Sequence, residues 1–163
     1  MIVIADTSVL LNLAFLKQES LLPAWFETVL IPKAVAHEFA RMGASAGRFA
    51  GLQLPAFCQI VPANEIPARL ASEARLDAGE AEALALMIER KADAILLDES
   101  AARSVATELG IEVIGTLGLL LRAKQDALIT EVAPLLRRLI VEGRFRVSPA
   151  LVHATLQRAG ELP

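Results

Sequence analysis

Two aspartates each stand directly after a short apolar run: Asp6 after Ile2-Val3-Ile4-Ala5, and Asp98 after Ala94-Ile95-Leu96-Leu97. Such runs read as buried strands of a parallel sheet, and in open α/β sheets ligands gather beyond the carboxyl ends of the strands. Both carboxylates are expected at that edge, although either alone could be a helix N-cap or a turn residue. Two glutamates extend the set. Glu38 interrupts the small, apolar helical stretch Ala34-Val35-Ala36-His37-Glu38-Phe39-Ala40, where a solvent-facing glutamate is the plain alternative. Glu80 closes Asp77-Ala78-Gly79-Glu80, whose D-x-x-E spacing is also that of a helix-opening capping box. Carboxylates crowded at one edge repel one another and remain ionised only if a divalent cation offsets their charge. Hard Mg2+ or Mn2+ prefers such oxygen ligands, and acids plus metal point to water activation for phosphodiester cleavage.

Phosphates at such a site need cations, and the chain segregates its charges. Between Glu73 and Glu99 lie eight acids against three bases; between Arg122 and Arg146 lie six bases against three acids, although the net charge is only -3. The basic segment is the richest source of phosphate contacts, with Arg122, Lys124, Arg137 and Arg138 as candidates. Solvated helix faces are the bland alternative, and Arg137-Arg138 or Arg144-Phe145-Arg146 could simply balance helix C-termini.

The elements that must position these residues alternate. Strands are expected at Ile2 to Ala5, Val29 to Ile31, a short stretch ending at Ile60-Val61, Ala94 to Leu97 and Ile111 to Ile114. Helices are expected from Val9 to Leu16, Leu21 to Phe26, Pro32 to Arg41, Ile66 to Arg75, Asp77 to about Lys91, and Ser100 to Leu109, where Gly110 stops the last of these. Further helices are expected at about 116 to 126 and 131 to 142, and from Ser148-Pro149 onward with a Ser cap. Residues 43 to 55, with Gly43, Gly47 and Gly51 at equal spacing, read as loop or weak helix. Strands alternating with helices define an α/β protein with a parallel sheet covered on both faces.

The 163 residues are expected to form a single domain, 1–163, and show no repeats and no linker. At 55% hydrophobic and 21% charged the chain must pack a core; at 4% aromatic, with no Tyr, it lacks a stacking platform for several bases. No uncharged apolar run reaches membrane-spanning length, and no basic segment precedes Asp6, so neither a membrane span nor a signal peptide is expected. Cys58 stands alone, which excludes an internal disulfide and a cysteine zinc site and agrees with a reducing cytoplasm. His37 and His153 have no zinc spacing, Ser8 has no nucleophile-elbow setting, and neither a dinucleotide nor a P-loop glycine motif occurs.

Ile4-Ala5-Asp6-Thr7-Ser8-Val9-Leu10-Leu11, Val35-Ala36-His37-Glu38, Gly79-Glu80-Ala81-Glu82-Ala83-Leu84 and Leu96-Leu97-Asp98, taken in order, resemble the four-acid pattern of the PIN domain. The stretch from Leu76 to Lys124, with LDAGEAEALAL, LLDESAAR and GTLGLLLRAK, is similar to a prokaryotic PIN subgroup described as a domain of unknown function and often encoded beside a small antitoxin. The resemblance spans residues 2 to 125. It implies a three-layer α/β/α sandwich with a central parallel sheet, and a Mg2+- or Mn2+-dependent ribonuclease similar to VapC-type toxins.

Residue by residue, the resemblance puts Asp6, Glu38, Glu80 and Asp98 in the places of the four acids, with Asp6, Glu38 and Asp98 as metal ligands. Thr7 or Ser8 matches the small hydroxyl residue after the first acid, and Thr116 matches a polar residue that holds a water or a phosphate. Glu99, directly after the fourth acid, supplies a more distant oxygen. Many relatives carry Asp where this chain has Glu80, which leaves Asp77 or Glu82 as alternatives for the third acid.

The implied partners are RNA, a second copy of the chain and a small antitoxin. A homodimer is also expected because Leu10 to Leu16 and Leu117 to Leu121 look apolar on more than the stripe one core needs. The competing reading from another class is a PIN-like nucleic-acid-binding or regulatory module without turnover. A phosphoaspartate enzyme is disfavoured, because Ser8 stands where a second Asp would be required.

Overall fold

The strands carry aliphatic residues on both faces, so neither face of their sheet can be left to water. The computed structural model describes residues 1–162. Strands β1 (Ile2–Ala5), β2 (Thr28–Ile31), β3 (Cys58–Ile60), β4 (Ala94–Leu96) and β5 (Val113–Ile114) form one parallel sheet in the order β3-β2-β1-β4-β5. Val3 and Ala5 sit in the core on one face with Val29, Ile31 and Leu96, and Ile4 in the core on the other with Leu30 and Ile95. The alternation follows from the two-residue period of a strand.

Nine helices accompany the sheet among the described residues: α1 (Thr7–Phe15), α2 (Leu21–Trp25), α3 (Lys33–Ala44), α4 (Ala68–Ala71), α5 (Ala78–Arg90), α6 (Ser100–Glu108), α7 (Thr116–Gln125), α8 (Ala133–Val141) and α9 (Pro149–Arg158). Helices α1, α3 and α7 bring Leu10, Leu13, Phe39 and Leu119 to one face; α5 and α6 bring Leu84, Leu86 and Val105 to the other. This is the three-layer α/β/α sandwich expected from the alternation of elements.

Two expectations change. The helix expected from Ile66 to Arg75 is a single turn, α4. Leu70 is its only buried residue, so a longer helix would have no core to cover. The chain beyond it is held as a turn by Arg75, which pairs with Glu73 at 3.0 Å and with Glu108 at 2.9 Å. The 43 to 55 stretch divides: α3 continues to Ala44, and the remainder is a loop folded back onto it. Gly43 permits that return, because a Cβ there would stand 2.3 Å from the Leu52 carbonyl oxygen.

The broad apolar surface of α1 and α7 has a cause inside the chain. A third cluster, Leu16, Leu120, Val132, Leu136 and Leu139, joins both helices to α8, with Phe145, Val152 and Leu156 packed against it. The surplus assigned above to self-contact is consumed by α8 and α9, so the apolar faces of α1 and α7 no longer argue for a dimer.

One carboxylate fastens this extra layer. Glu161, just past α9, accepts hydrogen bonds from the Val132 and Ala133 amides at 2.8 Å each and from Lys124 Nζ at 2.9 Å. It satisfies two of the free amides at the start of α8 and ties α9 to α7. Glu161→Ala leaves those donors without partners and is expected to cost about 1–3 kcal/mol. Urea unfolding followed by circular dichroism should show that loss; an unchanged midpoint would remove the clamp.

Candidate active site

The chain leaves β1 toward β2 and β3 on one side of the sheet, then crosses to β4 and β5 on the other. The carboxyl ends of the neighbours β1 and β4 therefore form the switch point at which open α/β sheets leave a crevice. Asp6 and Asp98 follow these two strands, and the Asp6 amide donates to the Leu96 carbonyl at 2.9 Å, fixing the loop after β1 against β4. Asp6, Glu38, Asp77, Glu80, Asp98 and Glu99 all line one open cleft of about 580 Å³ there.

Asp6 stands at the N-cap position of α1 but makes no side-chain capping bond, so the local reading of this aspartate fails. Glu80 closes the capping box and also borders the cleft: its Oε2 accepts from the Asp77 amide at 3.0 Å, and Asp77 Oδ1 accepts from the Glu80 amide at 2.7 Å. Asp77 is beside it. Glu82 is not in the cleft, because its carboxylate accepts from the Ala34 amide at 3.2 Å and the Ala63 amide at 3.4 Å on another side of α5. Glu82 as third acid is thereby corrected. Glu38 arrives from α3 and accepts from Thr7 Oγ1 at 3.0 Å. Glu99 lines the rim, but its Oε2 accepts from the Ala102 amide at 2.8 Å and caps α6.

Asp98 is held more tightly than its neighbours. Thr116 donates to it from its amide at 2.8 Å and from its hydroxyl, and Asn12 Nδ2 donates to Oδ2 at 3.0 Å. Asn12 was not anticipated. Its signal is a lone amide inside the apolar run Val9-Leu10-Leu11-Asn12-Leu13-Ala14, where burial without a partner would be costly.

Burial and like charge raise two of the acids. Asp6 is pushed up to about 7, first by burial and then by the Glu80, Asp77 and Glu38 carboxylates, with the Thr7 amide pulling the other way. Glu80 is also pushed up to about 7, by burial first and then by Asp77, Glu99 and Glu38, against the Asp77 amide. Ser8 Oγ, also in the cleft, is buried without a hydrogen-bond partner. An oxygen-only donor set, two acids whose ionisation is opposed for want of a counter-charge and an orphaned hydroxyl fit a hard divalent cation in chemistry. The expected triad is not assembled as such: among the described residues no three acids converge as ready chelating ligands. Thr116 and Asn12 hold Asp98, while Thr7 holds Glu38.

The bases of the cleft differ from those expected. Arg48, Arg144 and Arg146 line it. None of Arg122, Lys124, Arg137 and Arg138 does. Arg122 lies over Trp25 at 4.7 Å, Lys124 is bound to Glu161, Arg138 lies over Phe15 at 5.0 Å and pairs with Glu142, and Arg137 borders an apolar groove between α8 and α9.

A doubly wound sheet with a carboxylate cleft at its switch point defines an α/β protein with an acidic site. The family model DUF3368, a PIN domain, matches residues 2–161. The chain belongs to this PIN-domain family, which has a nuclease-type fold and whose members generally use divalent metal ions. Comparison with curated proteins gives no match.

In the cation-free protein, Asp6 and Glu80 keep protons between about pH 4 and 7 that the unfolded chain has released. Proton binding favours the folded state in that interval, so stability should fall as pH rises through it. Asp6→Asn should flatten the decline and raise stability at pH 8 by up to a few kcal/mol, at about 1.4 kcal/mol per pKa unit. Thermal melts in EDTA across pH check this; a wild-type profile that rises through the interval contradicts it.

Proposed function

We propose that this chain is a Mg2+- or Mn2+-dependent endoribonuclease of the cytoplasm, the toxin of a toxin–antitoxin pair. The observation that carries the catalytic part is the buried, uncompensated carboxylate cluster at the switch point, in a chain of a family that is typically nucleolytic. In this reading Asp6, Glu38 and Asp98 hold the cation and Glu80 assists, with Asp77 next to it. When bound, the cation lowers the cost of negative charge on the scissile phosphate and on the attacking water.

The side chains divide the remaining work. Glu80, bordering the cleft, takes a proton from the attacking water at its carboxylate. Thr7 keeps Glu38 turned toward α1, while Thr116 and Asn12 fix the orientation of Asp98. Thr7 and Ser8 offer hydroxyls beside Asp6; Arg48, Arg144 and Arg146 provide positive charge for the phosphates. Intact acids favour turnover over a purely regulatory module.

Incubation of a mixed RNA pool with Mg2+ or Mn2+ should give cleavage that EDTA abolishes. Asp6→Asn should abolish it with little loss of folding; Asp98→Asn should abolish it too, at some cost in stability, because an amide nitrogen cannot accept from Asn12 as the carboxylate does. Activity surviving EDTA would sink the reading. Asn12→Ala, which frees Asp98 on one side, should lower kcat about 10–100-fold with little change in KM; an unchanged kcat would make Asn12 merely structural.

The homodimer and the antitoxin belong to the same proposal and draw on the family resemblance. A small antitoxin would neutralise the acids with a basic side chain in place of the metal. Light scattering at tens of micromolar tests the dimer. Co-expression with the product of an adjacent small reading frame should yield a complex and relieve growth inhibition.

A further inference from the structure

A second groove, of about 700 Å³, lies against the cleft on the other side of the connection between α8 and α9. The two share Asp98, Ser100, Phe145 and Arg146 in their walls. The connection is a strap: Phe145 packs into the third core cluster and its amide donates to the Leu139 carbonyl at 3.0 Å, so that Arg144 and Arg146 flank a fixed anchor. Among the described residues Asp98 is the only acid lining the groove, whereas Arg103, Arg146 and Arg158 line it with three positive charges. Among the described residues none of the three has a carboxylate at ion-pair distance.

Arg103 marks the junction. Its Nη1 donates to the Leu97 carbonyl at 3.1 Å, and a Cβ at Gly115 would stand 2.4 Å from that nitrogen and 3.0 Å from Asp98 Oδ1. Gly115 therefore lets a guanidinium lie beside the last of the four acids. From there the groove continues past Ile114 and Leu117 to Leu151, half-exposed in its wall, and Arg158 at the end of α9.

We infer that this groove is the track for the RNA chain leading away from the acidic cleft, a binding site for single-stranded polyanion in which Arg103, Arg146 and Arg158 hold successive phosphates. The inference rests on the ribonuclease reading for its ligand but concerns binding, which can be measured without turnover. The shared walls favour RNA over an acidic protein segment, because one polymer can occupy cleft and groove together while its charge repeats along its length. The aliphatic floor suits sugar and base faces, and the arginine rim suits the backbone.

The test is equilibrium binding of a fluorescein-labelled single-stranded RNA of about 12 nucleotides, within the usual reach of such grooves. EDTA is present, so that nothing is cut and the metal-free acids repel the chain from the cleft. Arg158→Ala should weaken binding about 3–10-fold and make the slope of log K against log salt shallower by about 0.7, the share of one phosphate contact on a single strand. Arg158→Lys should restore the slope. Arg90→Ala removes the same charge from the end of α5, away from the groove, and should change neither quantity. Leu151→Glu, which places an acid in the groove wall, should weaken binding without removing any base.

Equal effects of Arg158→Ala and Arg90→Ala, or no binding by the wild-type protein, would overturn the track. A poly-glutamate peptide that binds in an Arg158-dependent way while RNA does not would overturn it in favour of a protein-docking surface. Cleavage with Mg2+ or Mn2+, measured separately, keeps the outcomes apart. Arg158-dependent binding without cleavage preserves the track and removes the nuclease, and cleavage without Arg158-dependent binding does the reverse.

Discussion

Mutual repulsion among buried carboxylates is the constraint around which this molecule is arranged. Asp6 and Glu80, with Glu38 and Asp77 close by, line a cleft where burial penalises charge and, among the described residues, no base forms an ion pair with any of them. A sheet can hold such a group only if the backbone beneath it is rigid. The parallel pairing of β1 with β4 and the packing of aliphatic residues on both faces supply that rigidity. Stability is lost locally in exchange for a place where positive charge is favourable, a pattern common at functional sites.

Much of the framework was legible because its signals are local. Ile2 to Ala5 and Ala94 to Leu96 are short and aliphatic throughout, which is what burial on both faces requires, and the aspartates following them had to emerge at one edge. The Asp77–Glu80 box was legible for the same reason, since both of its bonds join residues three apart. Ile66 to Arg75 misled because its composition favours helix, while its surroundings give only Leu70 a core to enter. Propensity yielded to the lack of a partner surface.

The bases were less legible, because where an arginine points depends on contacts distant in sequence. Arg122 and Arg138 lie in the basic segment but settle over Trp25 and Phe15, and Lys124 is taken by Glu161. Arg144 and Arg146 reach the cleft only because Phe145 anchors the strap between α8 and α9, a packing event that no short motif encodes. Asn12 belongs to the same class: its lone amide was visible, but its partners Asp98 and Thr116 lie 86 and 104 residues away.

The capping box has a consequence for which residues can be exchanged at position 80. A glutamate there reaches back to the Asp77 amide and also borders the cleft, so the start of α5 and the position of one acid are set by the same side chain. An aspartate would keep the charge but is too short to close the box as Glu or Gln does. Side-chain length is thus selected by helix initiation while charge is selected by the cleft. Exchange between the two acids would then have to be accompanied by a different way of beginning the helix.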